Sequence, residues 1–168
     1  MSATIKLECC NSTDAGVETD ITGAGIDFIT ADNALNTSGN REAYPITIPT
    51  VGVAYSYEKW LRWKCTVVPD TQCTNFQFWG PATVPGTGLI LYVGTTDTGV
   101  TPVVTDSTPA ATQQDTNYYD TDHQLAISGT LTLENDETDY LVMQLDVGTT
   151  AGQGNISQQT YNYSYDEN

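Results

Sequence analysis

Hydrophobic and polar residues alternate along several stretches of the chain, whereas the repeat of an amphipathic helix is almost absent. The clearest alternation covers Tyr57–Val68, where Leu61 and Trp63 share one face and charged residues occupy the other. Lys59 and Trp60 break this pattern. Because Trp60 lies on the mostly charged side, the pattern suggests a second contact surface there.

Further strands are predicted where alternating, aromatic or β-branched residues are bounded by turn-forming residues. They cover Thr4–Leu7, Asn75–Trp79, Gly88–Thr95, Leu125–Leu133, Tyr140–Val147 and Thr160–Tyr165. The alternate residues Tyr161, Tyr163 and Tyr165 of the last strand predict a ladder of rings on one face. The turn at residues 136–139 predicts a hairpin between the strands on either side of it. About eight strands in total predict an all-β fold, a two-sheet antiparallel β-sandwich of jelly-roll or immunoglobulin-like type.

Two segments lack a strong apolar pattern. Asn11–Gly25 is interpreted as a loop or an extended arm, and Thr95–Asp122 as one long excursion. A long loop of this kind either contacts a partner or is simply flexible, and the sequence supports both interpretations equally. We therefore expect an N-terminal strand and arm region over residues 1–43, packed on a sandwich domain over residues 44–168.

Aromatic residues supply the candidate contact surface, which comprises Trp60, Trp79, Tyr118 and Tyr119. Flat rings can stack on sugars or anchor a protein partner, although aromatic residues in a sandwich more often form its core. Both interpretations stay open at this point.

The four cysteines are too few for a disulfide scaffold. Cys9 and Cys10 are adjacent and are expected to be free thiols. Cys65 and Cys73 lie symmetrically about Pro69, so a hairpin there would place them opposite each other, either as a disulfide or as two reduced core residues. The spacing does not match a structural zinc site.

Acidic residues number 21 against five basic ones, which gives a formal net charge of −16. Such a charge repels nucleic acid and anionic membranes, so we expect neither as a partner. It suits solubility, docking on a basic partner or binding of divalent cations. No signal-peptide core or membrane-spanning stretch is found, which predicts a soluble chain made in the cytoplasm.

Catalytic patterns are missing from the sequence. The single histidine, His123, lies in an acidic loop and is not part of a recognisable nucleophile and base pattern. The carboxylates cluster mostly in turns, and no two of them stand out as a catalytic pair. The glycines lack the flanking lysine and strand-to-helix transition of a phosphate-binding loop. We therefore expect no catalytic residue, no catalytic or structural metal site and no cofactor, and hence not an enzyme. The acidic turns leave binding of Ca²⁺ open as the alternative to plain solvated turns.

Three segments together resemble small β-sandwich virion proteins of tailed bacteriophages. They are Tyr55–Arg62, Asn75–Trp79 and the C-terminal stretch from Asp139–Leu145 to Tyr165–Glu167. The resemblance covers roughly residues 44–167. It implies a capsid decoration (cement) protein, present in many copies on the virion, that binds the major capsid protein and neighbouring copies of itself. The resemblance is equally compatible with a neck or tail component. The alternative from another class is a carbohydrate-binding module for host adhesion, with Trp60 or Trp79 as its platform.

Overall fold

The computed structural model describes residues 2–11, 17–32, 38–81, 85–97, 99, 114–154 and 156–168. Strands form 45% of the chain and helix 6%, in two antiparallel sheets of seven and three strands. The predicted all-β, sandwich-like fold is confirmed.

The larger sheet has the strand order β2-β1-β4-β9-β6-β7, and β3 pairs with β9 beside this path. Its strands are β1 (Thr4–Asn11), β2 (Val17–Asp20), β3 (Val53–Tyr55), β4 (Lys59–Val67), β6 (Leu89–Thr96), β7 (Gln114–Asp115) and β9 (Tyr140–Gly148). The smaller sheet has the order β10-β5-β8. Its strands are β5 (Cys73–Trp79), β8 (Leu125–Ile127) and β10 (Asn162–Glu167). One short helix, α1 (Ser38–Ala43), precedes β3, and Thr116–Tyr118 forms a 3₁₀ turn.

The main core lies between the two sheets, where alternate residues of each strand turn inward. The aromatic ladder predicted for the last strand faces this core. Its ring pairs, with centroid separations of 5.4 to 5.5 Å, are Tyr161 with Phe78, Tyr163 with Trp63, and Tyr165 with Phe76. The C-terminal strand therefore closes the sandwich over Trp63, which is 1% exposed.

Two predicted hairpins are wrong. β4 and β5 belong to different sheets, so the turn after Val67 carries the chain across the sandwich, and Cys65 and Cys73 both lie in the main core. β8 and β9 likewise belong to different sheets, although the sequence predicted a hairpin between Leu125–Leu133 and Tyr140–Val147. Alternation reveals which side chains are buried, but both sheets bury theirs in the same core, so it does not reveal the pairing partner.

The N-terminal region is more regular than predicted. β1 extends to Asn11, and β2 lies within Asn11–Gly25, which was predicted to be a loop or an arm; residues 12–16 are outside the described part. The β2 segment is extended because it pairs with β1 in an antiparallel ladder, in which Glu8 lies opposite Asp20. β1 in turn pairs with β4, so this region contributes the edge of the larger sheet. The predicted domain boundary at residues 43 and 44 stays a prediction.

Candidate functional site

The charge of the surface depends on where the basic side chains lie. There are only five of them, and all lie in the described ranges. Lys6 forms an ion pair with Asp20 at 2.8 Å, and Arg41 forms one with Asp27 at 3.1 Å. Lys59 is 1% exposed. Each of these three cations is therefore either paired with a carboxylate of the chain or buried.

The remaining two cations form one network on the outer face of the larger sheet. Lys64 Nζ lies 2.8 Å from Glu18, 2.9 Å from Glu137 and 3.7 Å from Glu8. Arg62 contacts Glu18 and lies 2.8 Å from Glu137. β1, β2 and β4 are neighbours, so alternate residues of the three strands point to the same face. The hydrogen bond that the Lys64 ammonium donates to Glu137 is the main cause that raises the pKa of Lys64.

The three acids of this network form the cluster that could hold a metal ion among the described residues. Carboxylate oxygens of Glu8, Glu18 and Glu137 lie within 4.8 Å of one another. Calcium prefers such oxygen ligands. The Lys64 ammonium, however, already lies among them and supplies the positive charge. The arrangement is therefore an ion-pair network within the chain.

A small apolar cluster lies beside the network. The Arg62 guanidinium lies 5.0 Å from the Tyr140 ring centroid, and the Tyr140 ring meets Trp60 edge-on at 5.1 Å. Trp60 is 1% exposed, and its Nε1 donates to Glu58 Oε2 at 3.0 Å. The prediction that Trp60 belongs to a contact surface is therefore wrong, because Tyr140 and Val142 bury the ring on the outer face.

Of the other three predicted contact residues, two reach the surface and one is buried. Tyr118 is 53% exposed and Trp79 is half-buried, so both reach the surface. Tyr119 is 6% exposed and belongs to the main core, which corrects its assignment to the contact surface. Tyr118 lies edge-on to Tyr119 and near His123, with centroids 5.4 Å apart in both cases. Binding by Tyr118 and Trp79 stays a prediction, and residues 98 and 100–113 of the long excursion are outside the described part.

The four cysteines are free and buried. Cys65 and Cys73 are each 0% exposed and carry no bond to each other, which agrees with the reduced alternative, and their redox state stays a prediction. Burial raises the pKa of Cys9 and of Cys10 to about 11. Cys9 belongs to the main core and Cys10 to the outer cluster, so the four thiols do not converge on one point.

The acidic turns use their carboxylates to hold the backbone. Asp136 accepts hydrogen bonds from the amides of Thr132 and Leu133, both at 2.7 Å, and these bonds lower its pKa. Asp120 accepts from the amides of Asp122 and His123, which lowers its pKa in the same manner. Both carboxylates therefore have a structural role in their turns.

An open depression of about 350 Å³ lies where the two chain ends meet. It is lined by Ser2, Asp70, Glu167 and Asn168. Glu167 accepts from Ser2 Oγ at 3.0 Å and from the Ala3 amide at 2.6 Å. This carboxylate therefore ties the N-terminal segment to β10.

Exposed carboxylates remain over the rest of the described surface. They are Asp20, Glu42, Asp70, Asp97, Asp122, Glu134, Asp166 and Glu167. Since every basic side chain is either paired with a carboxylate or buried, this surface is negative and has no basic patch.

No helix in the described part of the chain has the length and apolar character needed to cross a bilayer. A scan against protein-family models, a search of curated proteins and a search of solved structures each find no match.

Proposed function

We propose that the chain is a non-enzymatic structural protein of a virus particle, and most concretely a capsid decoration (cement) protein. It binds the major capsid protein and stands beside neighbouring copies of itself; a neck or tail position in the virion is the alternative. The observation that carries the proposal is the negative surface, on which the few cations are neutralised by the chain's own carboxylates.

This charge distribution favours a basic protein partner. An acidic surface attracts a basic one and accelerates their encounter, and it repels nucleic acid, which keeps the chain off the genome during assembly. It also makes isolated copies repel one another. Neighbouring copies are therefore held together by a shared partner, which is the arrangement of a decoration protein on a capsid.

The fold supports the same function. A sandwich closed by an aromatic ladder is a rigid support, and rigid surfaces lose little entropy on binding. Tyr118 is exposed within the long excursion, where it can anchor a contact. The resemblance of the segments around Tyr55–Arg62 and Asn75–Trp79 to phage virion proteins agrees with this function.

Quantitative mass spectrometry of purified particles tests the proposal. Particles are purified by density gradient from a culture that produces the chain, and its copy number is measured relative to the major capsid protein. We expect many copies per particle, and an abundant cytoplasmic protein of the host serves as the contamination control. Recovery of the chain from infected-cell lysate but not from particles would overturn the proposal. A copy number far below that of the major capsid protein would favour the neck or tail.

A further inference from the structure

Lys59 is a basic residue on the buried side of the larger sheet. It begins β4 and is 1% exposed, and strand alternation gives it the face of Leu61, which is a main-core residue. In the register of β1 with β4, Cys9 is opposite Leu61 and Cys10 is opposite Trp60. The pairing ends there, and Asn11 and Lys59 are the next residues of the two strands, with Asn11 on the same face as Cys9.

Asp32 joins these two residues from the loop after β2. Its Oδ1 accepts a hydrogen bond of 2.7 Å from Asn11 Nδ2. Its negative charge also acts to raise the pKa of both Lys59 and Cys9. A buried amine and a partly buried carboxamide and carboxylate are therefore brought together at one end of the β1–β4 pair.

The surroundings of Lys59 favour a nucleophilic amine. Desolvation is the main cause that lowers its pKa, so burial increases the fraction of the neutral amine, which is the form that can attack a carbonyl carbon. Burial also excludes water, which would otherwise compete as a nucleophile. The nearby charges of Asp32 and Asp27 act in the opposite direction.

We infer that Lys59 and Asn11 join in an intramolecular amide bond, with Asp32 carrying the proton. The Lys59 Nζ lone pair attacks Asn11 Cγ, and a C–N bond forms. Asp32 takes a proton from Nζ and delivers it to Asn11 Nδ2, the Cγ–Nδ2 bond breaks, and ammonia leaves. One amine and one carboxamide give one substituted amide and ammonia, so no oxidant or cofactor is needed.

Strand pairing supplies the proximity that this reaction needs. Asn11 and Lys59 directly follow the last pair of the β1–β4 ladder, where opposed Cα atoms are about 5 Å apart, so the carboxamide lies within reach of the lysine side chain. Positioning of this kind corresponds to effective concentrations on the order of 10⁵ M or more. Asn11 is the acceptor and not Asp32, because a neutral carboxamide is a better electrophile than an ionised carboxylate. The bond crosslinks the N-terminal strand to the centre of the larger sheet.

Intact-mass spectrometry of the denatured full-length chain tests the bond. We expect a mass about 17 Da below that calculated from the sequence, from the loss of ammonia. We also expect a proteolytic digest to contain one branched peptide joining the segments around residues 11 and 59. Trypsin should not cleave after Lys59, because its charge is lost in the amide.

Three variants control this result. Lys59→Met and Asn11→Ala should have their full calculated masses, and Lys6→Met, which changes an exposed lysine, should keep the deficit. Asp32→Asn has the same size but no proton carrier, so it should form the bond slowly or not at all. A wild-type chain with its full calculated mass would overturn the inference. So would a deficit of about 18 Da, the loss of water expected for an amide with Asp32, or a crosslink at other residues.

Discussion

Removal of the Lys64 ammonium should turn the ion-pair network into a site of charge repulsion. Lys64→Met keeps an apolar stem of similar length, but it takes the cation from among Glu8, Glu18 and Glu137. Their carboxylate oxygens lie within 4.8 Å of one another. Only Arg62 would then balance them, through its contacts with Glu18 and Glu137.

The expected cost follows from the exposure of the network. An exposed ion pair contributes about 0 to 1 kcal/mol, whereas breaking a buried one costs about 3 to 5 kcal/mol. Lys64 is 18% exposed and its three partners are between 12% and 25% exposed, so the network lies between these limits. We expect Lys64→Met to lower the free energy of unfolding by about 2 kcal/mol.

Urea denaturation of two matched variants measures this cost. Lys6→Met is the control, since Lys6 has one partner, Asp20, in a pair with both side chains 41% exposed. We expect the control to lose no more than about 0.5 kcal/mol. Millimolar Ca²⁺ should raise the melting temperature of Lys64→Met and leave that of the wild type unchanged, because the freed carboxylates can bind it. Equal losses in the two variants, or equal stabilisation of the wild type by Ca²⁺, would refute the role assigned to Lys64.

Three further outcomes are expected. Trp63→Ala should lower the free energy of unfolding by about 3 to 5 kcal/mol in urea because it opens the core, whereas exposed Tyr118→Ala should change it by less than about 0.5 kcal/mol. A thiol reagent should modify no cysteine in the native chain and all four in urea; a count of two in urea would mean that Cys65 and Cys73 are bridged. Asp136→Ala should cost about 1 to 2 kcal/mol by leaving two amides without their acceptor. Because the folded-state pKa of Asp136 is lowered, its contribution is present above the ordinary aspartate pKa and disappears as pH falls through the lowered value. Urea unfolding near neutral pH and at acidic pH should therefore show a smaller acid loss in Asp136→Ala than in the wild type.

Local alternation was sufficient to predict much of the core. Leu61 and Trp63 face inward as the period-2 pattern indicates, and the tyrosines of the last strand form the predicted ladder. These features depend on the geometry of a single strand, in which side chains point to opposite faces in turn. The pattern also contained a local indication of the buried lysine. Lys59 is a charged residue at a position where the alternation predicts an apolar one.

The ionic network could not be predicted in the same way. Glu137 is far from Glu8 and Glu18 in the sequence, and only the pairing of β1, β2 and β4 brings Glu8 and Glu18 to the face of Lys64. The burial of Trp60 likewise depends on Tyr140, which is distant in the chain. Contacts of this kind depend on which strands become neighbours, and the alternation of residues does not encode that choice.

Rebinding to particles tests most directly whether the negative surface does the docking. The purified chain is added to particles from which it has been stripped, and bound protein is measured from about 50 mM to about 500 mM NaCl, a range over which exposed charges become strongly screened. We expect saturable binding that weakens steeply as salt increases. Saturable binding that is unchanged or strengthened by salt, or no binding at low salt, would contradict docking through the acidic surface.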